Sequence, residues 1–245
     1  MVARLALLSC LIVAPLACRS LPPFGAEMGK QEVGGAMQRP TYTTLRSFFG
    51  YVVPGAEPDE VRDDKKLHYV YVWVPGVTPE LGVRMLSPAK SYALPKEGDL
   101  VDAAFLANRG SDVYFDPWIR FERCVTAANP EDIVKPCANW VIFGDNDDAD
   151  ELPAQPNGNR GNALVRVRSS TDDPTHALVR GVYRVAFTTN KPGEVQGSYL
   201  LQVGAPLELH GLIIAGTPAE LAQAIGDKGV VAPGQPIAPV HTVVP

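Results

Sequence analysis

The chain has 245 residues, 46% of them apolar, and carries 22 Lys plus Arg against 27 Asp plus Glu, a formal net charge of −5. That length and apolar content suffice for one main domain with a sizeable core, and the acidic balance, with no basic patch, argues against nucleic acid as a partner. The 22 Gly and 23 Pro suit a chain of many turns better than a helical one.

Residues 1–17 begin Met1, Val2, Ala3, Arg4 and continue as an apolar run from Leu5 to Ala17. The run is too short to span a bilayer and has the form of an export signal. Leu16-Ala17-Cys18 is shaped like the lipobox of bacterial lipoproteins, with Pro15 where an aliphatic residue is usual, whereas Cys10 comes too early to follow a full apolar region. The expectation is cleavage before Cys18 and lipidation of that residue, and acyl chains contribute about 0.8 kcal/mol per buried CH₂ to membrane anchoring. Residues 18–42 mix Pro, Gly and polar residues without periodicity and read as a flexible tether behind the lipidated cysteine.

The folded domain is expected over 43–229. Leu67 to Val74 is apolar on both alternating faces, with Tyr69, Tyr71 and Trp73 on one side and valines on the other, the pattern of a central strand. Leu81 to Leu86 reads as a second strand, stopped by Ser87-Pro88. Asp99 to Leu106 turns helical in its spacing. Val113 to Phe121 alternates again, and Pro117 within it marks an edge or a bulge.

Cys124 and Cys137 remain besides Cys18 in the exported chain. Export permits a disulfide between them, and Asn129-Pro130-Glu131-Asp132 reads as a cap and first helical turn able to bring the thiols together. The alternative is two buried thiols.

Gly144 to Glu151 places five carboxylates, Asp145, Asp147, Asp148, Asp150 and Glu151, within one short stretch, between strands at 139–143 and 164–168. Like charges this close raise one another's pKa unless something positive offsets the field. The stretch is either a solvated acidic loop or a place for a hard cation, and Ca²⁺, which takes roughly six to eight oxygens in loose geometry, suits it better than Mg²⁺. It is not an EF-hand. Counted from Asp145, the place that motif reserves for glycine falls on Asp150.

Further on, Val179, Tyr183, Val185 and Phe187 alternate with polar or small residues, Lys191-Pro192-Gly193 supplies turn chemistry, and Tyr199, Leu201 and Val203 resume the alternation. This predicts a hairpin. Thr217-Pro218-Ala219-Glu220 is a capping box with proline at the first helical position, and Gly226 offers a stop. Residues 230–245 form a Pro-rich tail, and no repeat is visible. Short strands with small helical insertions indicate an all-β antiparallel sandwich, with a jelly roll as the preferred topology.

Catalytic patterns are missing. His68, His176, His210 and His241 form no zinc motif, and His68 reads as a core or interface residue. There is no nucleophile elbow and no phosphate-cradling glycine loop. Five adjacent acids do not define two opposed carboxylates across a substrate. The chain is therefore read as a non-enzyme.

Three stretches resemble a known family. Phe49-Gly50-Tyr51-Val52 with Pro54-Gly55, then Tyr71-Val72-Trp73-Val74-Pro75 through Gly82-Val83-Arg84-Met85 to Ser87-Pro88, are similar to the leptospiral major outer-membrane surface lipoprotein family, a haemolysis-associated group. So are Trp118-Ile119-Arg120 with Glu122-Arg123. The third stretch is Leu178-Val179-Arg180-Gly181, Tyr183-Arg184, Phe187-Thr188-Thr189 and Lys191-Pro192-Gly193-Glu194-Val195 with Gly197-Ser198. The likeness runs over about residues 45–227.

The resemblance implies a lipid-anchored jelly-roll sandwich that binds Ca²⁺ and adheres to extracellular matrix proteins. In that family an Asp-Thr pair on a strand, two adjacent Asp of an acidic run and a Tyr backbone carbonyl hold the cation. Carried onto this chain, these fall on Asp116, on Asp147 and Asp148, and on the Gly161 carbonyl. The Thr position is Pro117, which has no hydroxyl, so only its carbonyl could contribute. Asp145 and Asp150 are second choices. The location implied is the outer membrane, facing outward or into the periplasm. The partners implied are the membrane through Cys18, a matrix-like protein or glycan, and a second copy of the chain. A structural envelope lipoprotein and a carbohydrate-binding sandwich are the alternatives.

Overall fold

The computed structural model describes residues 21–228. The export signal, Cys18, His241 and the Pro-rich tail lie outside the described residues. In chain order the strands are β1 (Gln31–Val33), β2 (Ala36–Gln38), β3 (Thr44–Val52), β4 (Glu60–Arg62), β5 (Lys65–Val74), β6 (Glu80–Leu86) and β7 (Leu100–Val101), then β8 (Pro117–Cys124), β9 (Trp140–Asn146), β10 (Ala163–Arg168), β11 (Gly181–Thr189), β12 (Gly197–Ala205) and β13 (Ile213–Ala215). Two helices, α1 (Ala103–Asn108) and α2 (Pro218–Lys228), complete the regular structure with three short 3₁₀ turns.

One sheet runs β10-β6-β12-β3-β7 and the other β13-β5-β11-β8-β9, with β4 attached to β5. The ladders are antiparallel except for the short β3/β7 pair. This is the all-β antiparallel sandwich with small helical insertions that the strand spacing predicts. Strand period explains the core. Val70, Val72 and Val74 of β5 point inward against Val83 and Met85 of β6 and Leu201 and Val203 of β12. On the other face of β5, Trp73 is covered by Leu221 and Ile225 of α2. The capping box forms as expected: the Glu220 N–H donates to Thr217 Oγ1 at 3.1 Å, and the Thr217 N–H donates back to Glu220 Oε2 at 3.2 Å. Gly226 does not stop α2, which continues to Lys228.

The predicted hairpin is corrected. β11 and β12 belong to opposite sheets, β11 between β5 and β8, β12 between β6 and β3. Both strands are buried along their whole length, and an internal strand of each sheet already has two neighbours, so the Lys191-Pro192-Gly193 turn carries the chain from one sheet to the other. The strand expected from Val113 begins only at Pro117, where a missing N–H costs no interior ladder bond. The helix expected over 99–106 starts later, after β7, because Asp102 caps it by accepting from the Phe105 N–H at 3.0 Å.

The tether is also shorter than its composition suggests. Phe24, Ala26 and Tyr42 are buried, and the fully buried Glu80 carboxylate accepts from the Glu27 and Met28 N–H groups and from the Tyr42 hydroxyl at 2.7, 2.6 and 2.6 Å. The Tyr42 ring lies over Gly82 and Gly204, where any Cβ would fall within 2.4 to 2.6 Å of it. This segment is thus fastened to the sandwich at both ends, by residues 24–27 and by Tyr42, while residues 28–41, which include the β1–β2 hairpin, are exposed. A disulfide joins Cys124 at the end of β8 to Cys137.

Candidate metal centre

Asp116 sits at the mouth of the β8/β11 ladder, its backbone carbonyl accepting from the Asn190 N–H at 2.8 Å. One carboxylate oxygen, Oδ2, lies 3.3 Å from Lys191 Nζ. The other, Oδ1, is buried and accepts no hydrogen bond.

A second buried acceptor stands beside it. Gln155 Nε2 donates to the carbonyls of Ser87 and Phe115 at 3.1 and 2.6 Å, an arrangement that fixes which end of the amide is nitrogen. Gln155 Oε1 is then left buried without a donor. Gly161 closes the space: a Cβ there would lie 2.3 Å from Asp116 Oδ1 and 2.7 Å from Gln155 Oε1. Two acceptors therefore converge on one glycine with no proton between them. Each unsatisfied buried group costs about 1–3 kcal/mol, and a cation or an ordered water is what relieves such a pair.

The acidic run divides into two kinds of carboxylate. Asp145 lies in β9 opposite Arg120, with Oδ2 at 3.7 Å from its Nε. Asp150 pairs with Arg160 at 2.5 Å, and Glu151 is held by Arg39 at 2.9 Å and by Arg166. Asp147 and Asp148 have no basic side chain within ion-pair distance among the described residues. The turn carrying them is shaped locally: Asp147 Oδ1 accepts from the Asp148 N–H at 2.9 Å, and Asn146 Nδ2 donates to the Asp148 carbonyl at 3.0 Å. Partial burial, then the charges of Asp147 and Asp116, push the Asp148 carboxyl above its usual range, with Lys191 opposing. Asp148 therefore feels Asp116 across the gap between β9 and the mouth of β8.

Of the ligands expected from the sequence, Asp116 and Gly161 are neighbours, Asp148 lies close enough to feel the Asp116 charge, and Asp147 adjoins it through the Asp148 N–H. Asp145 and Asp150 are turned to arginines. Pro117 is paired with Thr189 in the sheet. Among the described residues no three His, Cys, Asp or Glu side chains are gathered closely enough to hold a metal ion as they stand. The donor set that fits is mixed and entirely oxygen: Asp116 Oδ1, Gln155 Oε1 and a neighbouring Asp147-Asp148 pair, the chemistry Ca²⁺ accepts. Gln155 and Lys191 escaped the sequence reading. Gln155 lies in Pro153-Ala154-Gln155-Pro156, which carries no motif, and Lys191 reads as part of a turn.

A family model described as the surface lipoprotein of the Spirochaetales order matches residues 37–214, a span that contains every residue of this centre. No curated protein matches the chain.

Proposed function

The chain belongs to the surface lipoprotein family of the Spirochaetales order, and from that premise we propose that it is a lipid-anchored surface module of the outer membrane that binds an extracellular protein ligand in a Ca²⁺-dependent way, without chemistry of its own. The observation that carries the Ca²⁺ part is the pair of orphaned buried acceptors, Asp116 Oδ1 and Gln155 Oε1, facing each other across Gly161. Asp116, Gln155, Asp147 and Asp148 would hold the ion, which supplies positive charge where four oxygen donors lack it. Its effect is to take the place of Lys191 on Asp116 and to pin the acidic turn to the mouth of β8, so that the adjoining surface becomes rigid.

The test is thermal unfolding and calorimetric titration of the purified protein in EDTA, Ca²⁺ and Mg²⁺. Ligand at about 100 times Kd adds roughly 2.7 kcal/mol, which for a domain of this size raises Tm by about 5–10 °C. Asp147→Ala with Asp148→Ala abolishes that rise, and binding to immobilised matrix proteins falls in EDTA. Unchanged calorimetric binding by the double variant removes the site.

One observation favours a second reading. The Lys191 ammonium beside Asp116 is a built-in counter-charge, and a chain relying on it alone would be a structural envelope lipoprotein with no metal response. A flat response to millimolar Ca²⁺ selects it.

A further inference from the structure

A second site lies at the opposite edge of the sandwich and shares no residue with the metal centre. Between β3, β5, α1 and the start of α2 lies an open cleft with a volume of about 600 Å³, within the size range of small-molecule sites. Its floor is aromatic, with Phe48, Phe187 and Tyr199 packed together. Its rim carries three carboxylates, Asp59, Asp102 and Glu220.

Each of these acids is held in place by backbone N–H groups. Asp59 Oδ2 accepts from Tyr69 at 2.8 Å, Asp102 Oδ1 from Phe105 at 3.0 Å, and Glu220 Oε2 from Gly216 at 3.0 Å. None has a Lys or Arg within ion-pair distance among the described residues, and the cleft lining contains neither. The one basic side chain in the lining is His68, whose burial favours the neutral ring, with Asp59 opposing and Lys66 adding to the effect of burial. The lining is thus anionic with no internal counter-charge.

The independent sign of a ligand is Tyr199. Its side chain is 5% exposed and its hydroxyl has no protein hydrogen-bond partner among the described residues, yet the oxygen is not sealed in the core like Asp116 Oδ1 or Gln155 Oε1: what remains open of Tyr199 opens onto the cleft it lines. Gly50 stands opposite it in the ladder, and a Cβ on Gly50 would fall 2.4 Å from the hydroxyl oxygen. The missing side chain lets the ring lie across β3 and carry its hydroxyl toward the cleft. Burial, then Asp102 and Asp59, raise the phenol well above its ordinary range, so it stays neutral and can both donate and accept.

We propose that this cleft binds a primary organic ammonium on a small apolar body, the N–H groups donating to Asp59, Asp102 and the Tyr199 hydroxyl while the carbon frame packs on Phe48 and Phe187. The acids are spread around a rim and do not form a metal-holding group, which suits a cation that brings its own carbon frame. Aromatic faces beside the charge add cation–π attraction.

The probe is phenethylamine, titrated into the full chain in detergent by calorimetry and followed by ligand-observed NMR. Saturable binding is expected. Hydrocinnamate, with the same ring and the opposite charge, does not bind, and the trimethylated amine, which cannot donate, binds more weakly. Asp59→Asn with Asp102→Asn keeps oxygens that accept the backbone N–H groups and weakens binding at least about tenfold, a change of about 1.4 kcal/mol. Tyr199→Phe weakens it too. Thermal unfolding checks that each variant folds, and the single Asp59→Asn variant, which removes one of the proposed acceptors, gives the same readout at smaller size should the double variant not fold. Asp147→Ala with Asp148→Ala leaves amine binding unchanged, so the two sites fail or stand separately. Absence of saturable binding at millimolar amine, equal binding of hydrocinnamate or of the trimethylated amine, or full affinity in the Asp→Asn and Tyr199→Phe variants overturns the proposal.

Discussion

Asp116→Asn gives opposite signs with and without Ca²⁺. In the native side chain Oδ1 and the neighbouring Gln155 Oε1 are both acceptors without donors. An Asn at 116 can place its amide nitrogen where Oδ1 now lies and donate to Gln155 Oε1, which satisfies the glutamine and removes the orphaned carboxylate oxygen. Relief of buried unsatisfied groups is worth about 1–3 kcal/mol. The variant loses the contact with Lys191, but that lysine is 54% exposed, and such pairs contribute about 0–1 kcal/mol. Taking the middle of both ranges, a net gain of about 1.5 kcal/mol, the variant should unfold about 3–6 °C higher than the native protein in EDTA, at roughly 2–4 °C per kcal/mol for a domain of this size. In saturating Ca²⁺ the order reverses, because the native protein gains the bound ion and the variant has surrendered a charged ligand. Differential scanning calorimetry at both conditions reads the effect. A lower Tm in EDTA together with an undiminished Ca²⁺ response would show that the two acceptors are satisfied some other way and refute the reasoning.

Glu122→Ala should cost about 3–5 kcal/mol in urea unfolding, since it strips the carboxylate that meets Arg184 Nε at 2.5 Å and leaves a buried guanidinium between the rings of Tyr69 and Trp140, each 4.0 Å away; a loss under about 1 kcal/mol would mean the pair is solvated. Cys124→Ser with Cys137→Ser opens a link between residues 13 apart and should lower stability by about 3 kcal/mol, measured against the same protein with the bridge intact. Asp148→Asn tests the pH dependence of the acidic turn. A carboxyl whose folded pKa is raised favours the folded state while it is protonated, so that contribution is full at low pH and is lost as pH climbs from the ordinary aspartate value through the folded one. In EDTA at neutral pH the Asn variant should be the more stable, with a flatter dependence across that window; an unchanged profile would show that Asp148 does not feel Asp147 and Asp116.

The sequence by itself determined the local periods and punctuation. The double-faced apolar run from Leu67 to Val74 could only be a central strand, and the residues flanking α2 specified its start through side chains three positions apart. The close pair Asp147-Asp148 and the thiols of Cys124 and Cys137 were equally visible, since charge and composition need no tertiary context. The family was legible because its matching stretches are long.

What the tertiary structure alone decided is which strands are neighbours and which charges meet. Val179 to Val203 reads as a hairpin because alternation is blind to which partner a strand takes, and two fully buried strands alternate alike in one sheet or in two. Residues 24–42 look like a tether because Glu80, more than fifty residues away from Glu27, supplies the acceptors that fasten them. The acidic run looks uncompensated because its arginines come from β8, β10, the loop before β10 and the N-terminal segment. Gln155 joins Asp116 only because the chain between β9 and β10 crosses from one sheet edge to the other, and no spacing in the sequence encodes that crossing. Periodicity is a property of a strand, whereas convergence of side chains is a property of the packing of many strands at once.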